Sequence, residues 1–190
     1  DDSFGSHPDE KLIKSKNSEY YSDKDIKQYY QDLDLFFSSI ESIFETNVII
    51  ACHPKRKTFN EKIFLNRKNF LDKTCELVIN SKFVIGTIST SMIYGILCKK
   101  NMLLITSNNI KDIAYKRGIY QWKKNLNLIQ INISKKKYDI LKSKKNQLLK
   151  NNINYNDFKK EYISNLTKDV NSIWENILPK LKDQNVSKKI

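Results

Sequence analysis

Two polar clusters in this chain carry the residue types that phosphate chemistry uses. His53-Pro54-Lys55-Arg56 sets an imidazole beside two cations, and Ser89-Thr90-Ser91 sets three hydroxyls in a row ahead of the apolar stretch Met92-Ile93-Tyr94-Gly95-Ile96-Leu97. An imidazole can donate a hydrogen bond or a proton near neutral pH. Hydroxyls gathered at a helix start, together with unpaired backbone N–H groups, form an anion site at the positive end of the helix dipole. One hydroxyl is enough for ordinary capping, which leaves two without that purpose. Lys55 and Arg56 would add positive charge at the same place.

Three short apolar runs would position these clusters: Val48-Ile49-Ile50-Ala51-Cys52, Phe83-Val84-Ile85-Gly86 and Asn101-Met102-Leu103-Leu104-Ile105. Continuous apolar runs separated by helix-length segments are the rhythm of βαβ units, whose strands are buried on both faces. The expected fold is therefore α/β, a Rossmann-like parallel sheet flanked by helices, with a long C-terminal helix. His53 and the Ser89 to Ser91 triplet follow the carboxyl ends of the first and second runs. That edge is where open α/β sheets bind ligands.

Ser22 with Asp23 and Asp25 marks a helix start. Ile26, Tyr29, Tyr30, Leu33, Phe36, Phe37, Ile40, Ile43 and Phe44 then recur at spacings of three and four, the pattern of a helix with one buried face. Residues 54 to 67 read as a loop, and Asp72 or Thr74 as the cap of a short helix through Ile79. Gly95 would allow its helix to pack closely on the sheet. Ile110 to Lys124 reads as a helix interrupted at Gly118, Leu126 to Ile133 as a last strand, and Ser134 as the cap of the lysine-rich segment after it. That segment, Lys135 to Lys150, reads as a solvated helix face. Asn156 opens a strongly amphipathic helix running to about Lys182. The organisation is an entry linker over 1–21, a Rossmann-like domain over 22–133, and a basic helical extension over 134–190. The chain begins at Asp1 without Met and reads as a piece of something longer.

A net charge of +13 over 190 residues invites a nucleic-acid reading. The excess is nearly all Lys accompanied by Asn and Ile, as an AT-rich coding bias would give, so nucleic acid is not the expected partner. The charge is also compatible with an anionic small ligand or with peripheral membrane association. Cys52, Cys75 and Cys98 are widely spaced in apolar surroundings and are expected to be buried, reduced thiols. With His7 and His53 the only histidines, no metal site is expected. No apolar run approaches the length of about 20 residues needed to cross a bilayer.

The runs Val48 to Pro54, Lys73-Thr74-Cys75-Glu76-Leu77 and Ile85 to Ser91 together resemble the C-terminal half of bacterial surface-polysaccharide glycosyltransferases of the GT-B type. His53-Pro54 followed by Ser89-Thr90-Ser91 resembles the HP and Ser/Thr-Ser motifs of the bacterial sialyltransferases and polysialyltransferases. Their third element is an acidic pair followed by Gly, whereas here Asp1-Asp2 is followed by Ser3. The resemblance covers about Asp1 to Asn108.

It implies one half of a GT-B fold, metal-independent, with no cofactor and with a CMP- or UDP-linked nucleotide-sugar as substrate. Pro54, Lys55, Arg56, Ser89, Thr90 and Ser91 would hold the donor phosphates, and Thr74 and Glu76 the nucleoside. His53 would act as hydrogen-bond donor or general acid. Asp2 is the best local candidate for the acceptor-activating base, and a residue of a missing N-terminal domain is the stronger one. The partners implied are a nucleotide-sugar and a glycan acceptor, with a cytoplasmic location at the inner face of the membrane. The apolar stripe from Phe158 to Leu178 offers an oligomer contact. The alternatives are a noncatalytic Rossmann-like interaction module and a basic nucleic-acid binder working through Lys135 to Lys150.

Overall fold

The structure, a computed structural model, describes residues 22–53, 67–89, 91–110, 113–150 and 155–158. Its first element shows how the sequence sets local structure. Helix α1, Asp23–Phe44, opens with a reciprocal cap in which the Asp25 N–H donates to Ser22 Oγ and the Ser22 N–H donates to Asp25 Oδ2, each at 3.1 Å. Both bonds satisfy N–H groups that a helix start leaves orphaned. Glu45 ends the helix in the left-handed region. The expected stripe is buried at Tyr29, Leu33, Phe36, Phe37, Ile40 and Phe44.

The strands that follow are all parallel. Strand β1, Ile50–Ala51, pairs with β2, Asn69–Phe70, in a two-stranded ladder. Strands β3, Phe83–Gly86, β4, Asn101–Thr106, and β5, Ile129–Asn132, form a second sheet in the order β3-β4-β5. Between them run α2, Thr74–Asn80, α3, Met92–Leu97, and α4, Ile113–Leu126. A 3-10 turn over Ile133–Lys135 leads to α5, Asp139–Ser143, and α6, Lys145–Leu149. This is the expected α/β class, parallel strands flanked by helices in a Rossmann-like arrangement. Residues 154–190 are a separate compact unit, whose described part is the short helix α7, Tyr155–Phe158. The rest of the segment expected to form the C-terminal helix lies outside the described residues.

One apolar cluster joins the two ladders, with Ile50 and Cys52 from the first and Leu103, Ile105 and Ile131 from the second, all packed with the buried face of α1. Leu141 and Leu148, from the lysine-rich segment, sit in the same cluster. Their lysine neighbours Lys135, Lys137 and Lys142 are exposed, so the segment is a core-packing helix pair with a solvated outer face.

Several local expectations are corrected. Strand β2 was not anticipated. The cap of α2 is Lys73, with no side-chain hydrogen bond from Asp72 or Thr74. Ser134 does not cap the helix of the lysine-rich segment, whose cap position is Tyr138; it lies inside the 3-10 turn, where Asn132 accepts from its N–H at 3.1 Å. Helix α4 runs unbroken through Gly118, where an added Cβ would lie 2.5 Å from Ile88 Cδ1. That glycine admits a neighbour and does not end the helix. Gly95 behaves as expected, since a Cβ there would stand 3.1 Å from Met102 Sδ on the sheet. All three cysteines are free, but Cys75 is exposed.

Tyr138 ties the segment after β5 to α1. Its hydroxyl donates to the Ile133 carbonyl at 2.9 Å, and its ring lies edge-on to Phe36 at 5.6 Å. Burial, and secondarily the charge of Asp32, push its pKa up to about 12. Because the folded value exceeds the unfolded one, the folded state holds this proton tightly. Stability is therefore complete below pH ~10 and falls as pH rises toward the folded value. A Tyr138→Phe variant is expected to lose about 1 kcal/mol at neutral pH. Its alkaline unfolding above pH ~10 should be less steep than that of the parent chain, followed by circular dichroism with tyrosinate absorbance in parallel.

Candidate functional site

In parallel ladders every carboxyl end leaves on one side, so the loops that leave each ladder there converge by construction. From the first ladder emerge His53, two residues past the end of β1, and Leu71 to Thr74, directly after β2. Thr74 and Glu76 occupy the first turn of α2, with Glu76 63% exposed and its carboxylate 3.7 Å from Lys73 Nζ. His53 is half-buried. Asp2, Pro54, Lys55, Arg56 and Thr90 lie outside the described residues.

From the second sheet emerge the loops after β3, β4 and β5. Ser89 and Ser91, half-buried, are brought together with their hydroxyl oxygens 2.9 Å apart. The Ser91 N–H donates to Ser89 Oγ at 3.3 Å, and the Met92 N–H donates to the Ser89 carbonyl at 2.9 Å. The expectation of unpaired N–H groups at this turn is thus corrected at Ser91 and Met92, whose N–H groups are taken locally. Helix α3 is six residues long with no side-chain cap, so its dipole contributes little. What the serine pair keeps is one O–H proton, since one hydroxyl donates to the other and the second can turn its own outward. Two residues earlier, Thr87 is buried.

The loops after β4 and β5 add a polar group that the sequence reading missed. Register places Thr106 opposite Asn132, so the residues beyond them leave side by side. Ser107 and Ser134 hydroxyls are 2.8 Å apart, and Asn132 Nδ2 donates to Asn108 Oδ1 at 2.8 Å. The Asn108 N–H donates to Ser134 Oγ and the Asn109 N–H to Ser107 Oγ, each at 3.1 Å. Asn109 Nδ2 is buried with no hydrogen-bond partner. An orphaned buried donor costs about 1–3 kcal/mol, so it favours any acceptor that reaches it. Ser107-Asn108-Asn109 follows an apolar run just as the first two clusters do, and the same carboxyl-end argument applied there would have found it.

No family model, curated protein or solved structure matches this chain.

At the opposite end of the second sheet, near the starts of β4 and β5, lies a cleft of ≈ 50 Å³ lined by Asn101, Asn127, Gln147 and Lys150 among others. It has room for a water or two, well short of the roughly 300 Å³ or more that small-molecule sites occupy. The hydroxyl and imidazole groups lie at the carboxyl ends of the strands, away from this cleft. Among the described residues no three His, Cys, Asp or Glu side chains converge as metal ligands. No described helix is long and apolar enough to cross a membrane.

Proposed function

We propose that this chain is the donor-binding half of a GT-B type bacterial glycosyltransferase in surface polysaccharide or lipooligosaccharide synthesis, of sialyltransferase-like motif pattern. The observation that supports it is positional. His53 and the Ser89–Ser91 pair each follow the carboxyl end of a parallel strand, as the HP and Ser/Thr-Ser motifs would in such an enzyme.

In glycosyl transfer the bond between the sugar's anomeric carbon and the donor phosphate breaks, the phosphate oxygen takes the electron pair, and the acceptor oxygen takes the carbon. Donors aimed at that phosphate oxygen lower the barrier, because they stabilise charge where it develops. The free proton of the serine pair and the imidazole of His53 are suited to this, with Lys55 and Arg56 adding charge. By the same resemblance, Thr74 and Glu76, in the first turn of α2, would meet the nucleoside. The acceptor and its base, Asp2 or a residue of an N-terminal domain, complete the reaction. The expected property of this chain by itself is therefore nucleotide binding.

Titration calorimetry with CMP, UDP and CDP should give saturable binding to one of the three. His53→Ala and Ser89→Ala/Ser91→Ala should each weaken it by about tenfold, the worth of a hydrogen bond to a charged group. Indifference of the parent chain to all three nucleotides would remove the reading.

A further inference from the structure

Helix α4 has two faces of different character. Ile119 and Leu126 are buried, whereas Lys116, Arg117, Tyr120, Lys123 and Lys124 are exposed, Tyr120 at 63%. At 3.6 residues per turn these five positions fall within an arc of about 120°, with Tyr120 near its middle and a pair of cations about 5 Å along the axis on either side. The helix, Ile113–Leu126, contains no Asp or Glu. Among the described residues none of these four cations forms an ion pair, whereas Lys73, Lys136 and Arg67 elsewhere are each paired with a carboxylate.

We infer that this face of α4 is an electrostatic docking surface for an anionic lipid bilayer. Charge complementarity carries the choice of occupant. Four unpaired cations on one side of a rod some 20 Å long present their charge in one direction, which suits a sheet of headgroup phosphates. A tyrosine between them suits the same layer, where an apolar ring with a polar tip sits at the boundary of headgroups and chains. A single-stranded nucleic acid is held instead in a groove that tracks its backbone, and these residues form a convex ridge. The apolar face of α4 is occupied by the core, so the contact is peripheral, with cations at phosphates and one ring dipping in. This surface stands on α4 alone and is independent of the nucleotide-donor reading.

The test is co-sedimentation of the whole chain with vesicles of phosphatidylcholine alone and of phosphatidylcholine with 30% phosphatidylglycerol, at low and at physiological salt. Binding should require the anionic lipid and weaken as salt rises. Each cation near such a surface contributes about fivefold. A Lys116→Gln/Arg117→Gln/Lys123→Gln/Lys124→Gln variant should therefore lose binding by about a hundredfold or more. A charge-matched control, Lys135→Gln/Lys137→Gln/Lys142→Gln/Lys150→Gln, should lose less than about tenfold, since distant charges are screened. Tyr120→Ala should weaken binding severalfold at unchanged salt dependence.

Equal losses in the two quadruple variants would overturn the proposal, since net charge alone would then explain the binding. So would absence of vesicle binding, or an oligonucleotide that binds the parent chain through these same residues while the vesicles do not.

Discussion

Replacing Phe36 with alanine is expected to lower the free energy of unfolding by about 3–5 kcal/mol, read as a shift of the urea midpoint at unchanged slope. The ring is 0% exposed and sits where three parts of the chain meet. It lies 5.6 Å from the ring of Tyr138 and 5.9 Å from that of Phe37, and it belongs to the cluster that also holds Ile50, Leu103 and Ile131. Truncation removes the transfer free energy of the ring and leaves a cavity that the surrounding strands and helices cannot fully close. Natural domains are stable by only about 5–15 kcal/mol, so the loss is a large share of the total. The neighbouring Leu35, 47% exposed on the same helix, provides the contrast. Leu35→Ala should change stability by about 0.5 kcal/mol or less. Similar losses at the two positions would mean that the buried face of α1 is not the one described.

That contrast was legible in the sequence because a helix repeats every 3.6 residues and the stripe from Ile26 to Phe44 is long enough to fix its phase. The strands around Ile50, Phe83 and Met102 were legible for a related reason: continuous apolar runs bounded by polar residues suit strands covered on both faces. Strand β2 was not, since Asn69–Phe70 offers two residues and no period. Gly118 was misread because its reason is tertiary: the side chain of Ile88 fills the space its missing Cβ leaves.

At the candidate site, residue types after β1 and β3 were visible, but their pairing was not. Whether two serines separated by one residue point apart or bond to each other depends on the turn, and here they bond. The Ser107 to Asn109 and Asn132 to Ser134 group depends on the register of β4 against β5, which no local pattern states. In the sequence Arg67 is only the last residue of a loop. Its partners lie on a helix that ended more than twenty residues earlier.

Arg67→Ala should cost about 2–3 kcal/mol at neutral pH, and the loss should shrink in acid. The guanidinium side chain is 9% exposed and fastens three residues of α1. Nε and Nη2 donate to the two oxygens of Glu41 at 3.0 and 2.8 Å, Nη2 also donates to Ser38 Oγ at 3.0 Å, and Nη1 pairs with Asp34. Its Cζ stands 5.5 Å from the centre of the Phe37 ring. Burial by itself would raise the Glu41 pKa, but the bonds from Arg67 and from the Val48 N–H outweigh it and hold the carboxyl below its ordinary value.

A depressed carboxylate contributes stability that is present above the unfolded pKa, near 4.5, and is lost as pH falls through the folded value. The gap between parent and variant, measured by urea unfolding at a series of pH values, should therefore be widest at neutral pH and narrow below about pH 4.5. Arg67→Lys should recover only part of the loss, because an ammonium cannot bridge both oxygens of Glu41 in a fixed plane while reaching Asp34.

The consequence reaches the candidate site through the backbone. Residue 68 accepts from the Ile50 N–H at 2.9 Å, and the Cys52 N–H donates to the Phe70 carbonyl at 2.8 Å. Arg67 thus anchors to α1 the strand against which β1 is registered, and His53 follows β1 by two residues. Under the proposed donor-binding function, loosening that anchor should weaken nucleotide binding in Arg67→Ala even where the variant remains folded. The weakening should match that of His53→Ala in direction and be smaller in size, because a displaced imidazole still samples its position and a deleted one does not.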